Sequence, residues 1–251
     1  MTLVARALVG ARRGHAAVAA APLAAALADA ATAYAVQDRV ASEFGWFAER
    51  PARHWKSGGP SRAAVLTHAA LPPDGVWASP AEARSWPFRL RGIEAEVALR
   101  LARDVDPATA MALDATQAAA LVDAMCVSIE IVDSRWVEGL DAPPLAKLAD
   151  LQSHGALVLG AFVSYAARDW AAQECHVQIG TQPRVERRGT HALADPLFVL
   201  PAWLQHATRG GHSVAAGTVV TTGTWVGILH AAAGDLVSAE FPGIGQASVQ
   251  L

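Results

Sequence analysis

Residues 92–104 read GIEAEVALRLARD, and residues 128–135 read SIEIVDSR. In the first stretch Ile93, Ala95, Val97, Leu99 and Leu101 alternate with Glu94, Glu96, Ala98 and Arg100. Such period-two alternation marks a strand, on which residues two apart point to the same face. Glu94 and Glu96 then stand side by side, roughly 7 Å apart at their β-carbons. On a helix they would sit about 200° apart and share nothing. The second stretch sets Glu130 between Ile129 and Ile131, in a β-branched run that reads as another strand. A carboxylate so placed needs a partner, because carboxylates are almost never fully buried unpaired.

Two like charges about 4 Å apart repel by on the order of 4 kcal/mol at an effective dielectric near 20. A third carboxylate adds to that, so either protons are taken up or a cation sits among the three. Three hard oxygen donors favour Mg²⁺ or Mn²⁺, with other oxygens completing an octahedron. On spacing alone, Glu94 and Glu96 also fit a strand face that simply meets water.

The rest of the chain sets bounds. Its 251 residues are 53% hydrophobic, enough for a sizeable core, although alanine inflates the figure. A net charge of −3 without a basic block gives nucleic acid no purchase. Cys126 and Cys175 are too few for a disulfide scaffold or a four-cysteine zinc site. Arg12-Arg13 before an alanine-rich run mimics a twin-arginine signal, but Asp29 interrupts the run. Leu23, Leu27, Ala30 and Tyr34 fall on one helical face, which points to a structural helix of a cytoplasmic protein. Asp106-Pro107 signals a helix start, Thr116 is a candidate cap for a segment carrying Leu121, Val122 and Met125, and Asp195-Pro196 opens another helix that Pro201 should kink. Strands follow at 218–222, 235–241 and 247–251.

These motifs together resemble the 2-keto-4-pentenoate hydratase and 4-oxalocrotonate decarboxylase group of the fumarylacetoacetate hydrolase superfamily. Besides the two opening stretches, the resemblance runs through LADLQSHGALVLG (148–160), ADPLFVLPAWLQH (194–206), AAGTVVTTGTWVG (215–227) and AAGDLVSAEFPGIGQASV (232–249), in the family's order. It implies an α+β fold, a mixed β-roll with a smaller N-terminal α-containing region, divided at residues 1–91 and 92–251. It implies that Glu94, Glu96 and Glu130 bind Mg²⁺ or Mn²⁺. Lys56 and Gly58 match the family's Lys-x-Gly motif, whose lysine lies in the active site, although Gly59 and Pro60 replace the usual leucine and threonine. Gly223 and Thr224 match a Thr-Gly motif whose N–H and hydroxyl would bind a substrate carboxylate.

The widest departure falls in Ala149–Gly160, where the family has Ala-Asp-Asn and then small polar residues. This chain has Ala149, Asp150, Leu151, Gln152, Ser153 and His154, with Leu151 at the asparagine position and His154 where serine is common. Ser153 stands as a substrate-binding candidate. His154 reads either as a general base or donor or as a loop histidine satisfied by local backbone. Leu151 in the asparagine's place removes donors and an acceptor, which implies a substrate whose distal end is less polar than a carboxylate. The activity implied is hydration of a 2-hydroxy-2,4-dienoate to a 4-hydroxy-2-oxo acid in aromatic-compound catabolism. Alternatives are a 4-oxalocrotonate-type decarboxylase, an acylpyruvate C–C hydrolase, or a non-catalytic partner subunit. The resemblance further implies a homo-oligomer that can associate with a sister enzyme.

Overall fold

The structure is a computed structural model and describes residues 2–14 and 16–251. A helical layer comes first. Helix α1 (Leu3–Gly14) buries Val4, Ala5, Leu8 and Val9. Helix α2 (Ala30–Phe44) is capped by Asp29, whose carboxylate accepts from the Thr32 N–H at 2.8 Å. The continuous helical face expected through Leu23, Leu27, Ala30 and Tyr34 is broken here. Ala21–Ala26 is a 3-10 segment with Pro22 in its first turn, and Asp29 takes the extended backbone that an N-cap requires.

Five strands follow: β1 (His54–Gly58), β2 (Thr67–Ala70), β3 (Val76–Ala78), β4 (Ala81–Glu82) and β5 (Gly92–Leu101). Short helices α3 (Pro107–Ala112) and α4 (Ala115–Ala119) lead into β6 (Val122–Val132). Next come α5 (Pro144–Ala149), β7 (His154–Leu159), β8 (Val163–Ser164), β9 (Glu174–Ile179) and β10 (Val185–Arg188). The chain ends in α6 (Leu200–Ala207), β11 (Val219–Thr221), β12 (Leu229–His230), β13 (Leu236–Phe241) and β14 (Gly245–Gln250). Asp114, not Thr116, caps α4, and Val122 to Met125 belong to a strand. Pro201 makes no kink, because a 3-10 turn over Pro196–Val199 places it in the first turn of α6, where a missing N–H costs nothing.

The larger sheet runs β2-β1-β11-β5-β6-β7-β3, and the smaller β10-β9-β13-β14-β4. One hydrophobic core takes Ile93, Val97 and Leu99 of β5 with Val177, Val237, Phe241 and Val249 of the smaller sheet, so the odd-numbered face of β5 looks inward between the sheets. The even-numbered face carries the glutamates. A second core joins α1 and α2 to Trp136 and α5. No boundary falls at residue 91. β1 pairs parallel with β11 at Lys56↔Thr221, and β4 pairs with β14, so residues on both sides of 91 share both sheets. Among the described residues no helix is long and apolar enough to cross a membrane.

Candidate metal centre and active site

The pleat assembles the site. Glu94 lies opposite Glu130, Glu96 opposite Ser128, and Ala98 opposite both Cys126 and Thr221. Thr221 is in turn registered with Lys56. Directly paired residues point to one face, so four strands deliver Lys56, Thr221, Glu94, Glu96, Ser128 and Glu130 to a common surface. Ligand atoms of Glu94, Glu96 and Glu130 all lie within 4.8 Å of one another.

Each carboxylate has its own restraint. Glu96 is buried and accepts from the Gly223 N–H at 2.9 Å and from the Thr221 hydroxyl, both on Oε2. Thr221 is steadied by Ser128 at 2.8 Å. Gly223 holds φ 106°, a conformation that L side chains rarely adopt, which brings its N–H onto Glu96. Glu130 is fully buried and gathers two partners on Oε1: Lys56 Nζ at 2.6 Å and His154 Nδ1 at 3.0 Å. Its Oε2 is buried with no hydrogen-bond partner among the described residues. Glu94 is half-buried.

His154 reaches Glu130 because the β6–β7 register slips between Ile131 and Val132. A carboxylate only accepts, so Nδ1 carries the hydrogen. Burial pushes the imidazole below its ordinary pKa against the pull of Glu130, with Lys56 and Arg135 adding to the push. Burial thus favours the neutral ring, whose buried Nε2 has no partner among the described residues.

Charge does not balance within this set. Burial and then repulsion from Glu130 raise Glu94 to about 8 and Glu96 to about 7. Burial works against the Glu130 charge as well, but Lys56 and His154 outweigh it and hold its pKa low. Lys56 is the converse: burial favours the neutral amine, and Glu130, Glu94 and Glu96 together keep it an ammonium. Fully ionised, three carboxylates against one ammonium carry two uncompensated negative charges. Protons on Glu94 and Glu96 neutralise these in the metal-free chain, and a cation would neutralise them in their place, with Glu130 Oε2 unpartnered among the described residues. The donor set fits a hard divalent cation.

The other sequence candidates land as follows. Gly223 contacts Glu96. Thr224 does not join the cluster, because its hydroxyl closes its own turn by donating to the Gly227 carbonyl at 2.9 Å. Ser153 is buried, and among the described residues its hydroxyl has no hydrogen-bond partner, the carboxylates included. Leu151 lines a cleft of about 690 Å³ between α2 and α6 with Trp55, Phe47 and His206. Its turn faces it toward the helical side, so it supports no deduction about the substrate's distal end. Ser128, Thr221 and the Gln152 carbonyl, which accepts from Lys56 at 3.3 Å, escaped sequence reasoning. Ser128 had a signal, lying two residues before Glu130. Thr221 had none, since only the β11–β5 pairing brings it near Glu96.

The family model described as fumarylacetoacetate (FAA) hydrolase, C-terminal, matches residues 32–251, and the chain belongs to that family. Structures of 4-oxalocrotonate decarboxylase from Pseudomonas putida G7, one complexed with calcium and acetate and another with magnesium and adipate, are 18% identical to it. The alignment covers 98% of this chain and 95% of that one at a TM-score of 0.78. Fumarylacetoacetate hydrolase from psychrophilic Exiguobacterium antarcticum is 16% identical, at a TM-score of 0.57 over 80% of this chain and 75% of its own. The 2-hydroxyhepta-2,4-diene-1,7-dioate isomerase from Mycobacterium marinum is 14% identical, at a TM-score of 0.51 over 80% and 74%. No curated protein matches the chain. At these identities the likeness speaks for the fold, which is the fumarylacetoacetate hydrolase type, and these neighbours are enzymes.

Proposed function

We propose that the chain is a metal-dependent hydratase that adds water to a 2-hydroxy-2,4-dienoate and yields a 4-hydroxy-2-oxo acid. Glu94, Glu96 and Glu130 would hold Mg²⁺ or Mn²⁺, which when bound supplies Lewis-acid stabilisation of the charge developing on the substrate's 2-oxygen. Lys56 Nζ carries the proton that ketonisation delivers to C5 and recovers one from the 2-hydroxyl. The product of that step, a 2-oxo-3-enoate, accepts hydroxide at C4 and a proton at C3.

The observation that carries the water-adding reading is His154. Its Nδ1–H is anchored on Glu130, and its Nε2 is buried with no hydrogen-bond partner among the described residues. That is the posture of a general base for water, a role typically worth 10²–10⁴-fold or so. Decarboxylation of a 2-oxo-3-enedioate needs the same carboxylates and Lys56 but no base. It stands as the second reading, supported by the fold likeness to 4-oxalocrotonate decarboxylase over nearly the whole chain.

The test compares kcat/KM for 2-hydroxypenta-2,4-dienoate and 2-oxo-hex-3-enedioate with Mg²⁺, in the wild type and in His154→Gln. Hydration should dominate in the wild type and fall by at least about 10²-fold in the variant. A preference for releasing CO₂ from the diacid, unmoved by His154→Gln, would establish the decarboxylase reading instead.

A further inference from the structure

The peptide unit between Thr222 and Gly223 is gripped at both ends. Its N–H donates to Glu96 Oε2 at 2.9 Å. Its carbonyl lies 2.9 Å from His191 Nε2. A carbonyl oxygen only accepts, so Nε2 carries the hydrogen. Imidazole, peptide and carboxylate thus form one chain of hydrogen bonds, and bonds in series polarise one another. His191 is only 5% exposed, and its Nδ1 has no partner among the described residues. Among the described residues, the one hydrogen-bond partner of this buried ring is the carbonyl behind Glu96.

The surroundings hold the ring and the segment in place. Thr190 ties the His191 loop down by donating its hydroxyl to the Trp225 carbonyl. The Trp225 indole lies 5.5 Å from the imidazole, centroid to centroid. Thr222 Oγ1 donates to the Val97 carbonyl at 2.7 Å, and the Trp225 N–H to the Ala95 carbonyl at 2.9 Å. These bonds fix where the segment lies along β5. They do not fix the rotation of the Thr222–Gly223 peptide, because glycine at φ 106° has no side chain to hold it.

We propose that His191 is the positioning residue for Glu96, setting through the Thr222–Gly223 peptide which carboxylate oxygen stays free for the cation. The inference rests on the metal-site reading of Glu94, Glu96 and Glu130. With the peptide fixed, both hydrogen bonds to Glu96 fall on Oε2, which leaves Oε1 for the cation. With the peptide free to turn, Glu96 loses its backbone anchor and keeps only Thr221. Partners one step behind a metal ligand typically tune affinity by roughly 10–100-fold.

The test is calorimetric titration of the full chain with Mn²⁺, with melting temperature measured in parallel. The side-chain amide nitrogen of glutamine reaches as far as imidazole Nε2, and that of asparagine stops short. His191→Gln should therefore bind Mn²⁺ within a few-fold of wild type, and His191→Asn should bind roughly 10–100-fold more weakly. Both should melt close to the wild type. If the asparagine variant does not fold, His191→Met fills the volume without a donor and takes its place. Wild-type affinity in the donorless variant overturns the proposal, and so does equal weakening in the glutamine and asparagine variants. Glu96→Gln separates the premise: if the wild type takes up no Mn²⁺, or Glu96→Gln binds as well, the metal site itself falls and the inference falls with it.

Discussion

Glu94 and Glu96 hold protons in the folded chain that they would release near 4.5 when unfolded, since burial and Glu130 raise them to about 8 and about 7. A folded state that binds more protons than the unfolded one loses stability as pH rises between the two pKa values. Buried His68 and His206, lowered from 6.5 to about 4 and about 3, act in the opposite sense, but their contribution is complete once the pH passes 6.5. Between about pH 6.5 and 8 the two glutamates therefore act without that opposition. The melting temperature of the metal-free protein should fall across this window, and saturating Mn²⁺ should reverse the fall by replacing the protons. Differential scanning fluorimetry of wild type and Glu94→Gln/Glu96→Gln checks it: a profile that stays as steep in the double variant contradicts the assignment. These three glutamates were legible in the sequence, because alternation phases a strand whatever surrounds it. Thr221 and His191 were not: Thr221 meets Glu96 only through the β11–β5 pairing, and His191 lies behind it only through the Thr222 carbonyl, neither of which leaves a local pattern.

The turn from Asp150 to His154 shows what one short element does for the site. Leu151, Gln152 and Ser153 hold φ of 53°, 56° and 59°, a run that costs roughly 1–2 kcal/mol per residue for side chains other than glycine. What holds it is Asp150, buried and bonded to Arg135 Nε at 2.7 Å, to the Arg135 N–H at 2.9 Å and to Arg12 at 3.0 Å. The product of the strain is the Gln152 carbonyl directed at Lys56 and the His154 ring directed at Glu130. Asp150→Ala leaves two buried guanidinium groups facing each other, which should cost about 3–5 kcal/mol. Urea denaturation should show that loss, with kcat falling as Lys56 loses its second acceptor. A variant within about 1 kcal/mol of wild type would place the restraint elsewhere. Sequence reasoning marked this segment as unusual but not as left-handed, since none of its residues is the glycine or asparagine that announces such a turn. The same limit explains the misreading of 116–125: alanine favours helix, yet Val122 pairs with Leu101 and tertiary pairing wins.

At the scale of the molecule, the helical layer and the sheets keep separate cores, joined through Arg135 and Asp150 and also through Gln37 and Tyr34 of α2 against His68. The expected division at residue 91 failed because β1 reaches β11 across more than half the chain, a pairing invisible to any local window. The division that exists runs through the sequence twice, uniting α1 and α2 with Trp136 and α5. Trp136 is fully buried in that layer and donates its indole N–H to the Ala146 carbonyl at 2.8 Å. Trp136→Ala should cost about 3–5 kcal/mol, which in a chain of this size lowers Tm by on the order of 10 °C. The metal ligands hang from β5 and β6, whose inward residues belong to the other core. Mn²⁺ affinity measured well below the lowered Tm should therefore stay within a few-fold of wild type. If affinity collapses while the sheets remain folded by circular dichroism, the seam through Arg135 and Asp150 transmits the loss, and the two cores act as one.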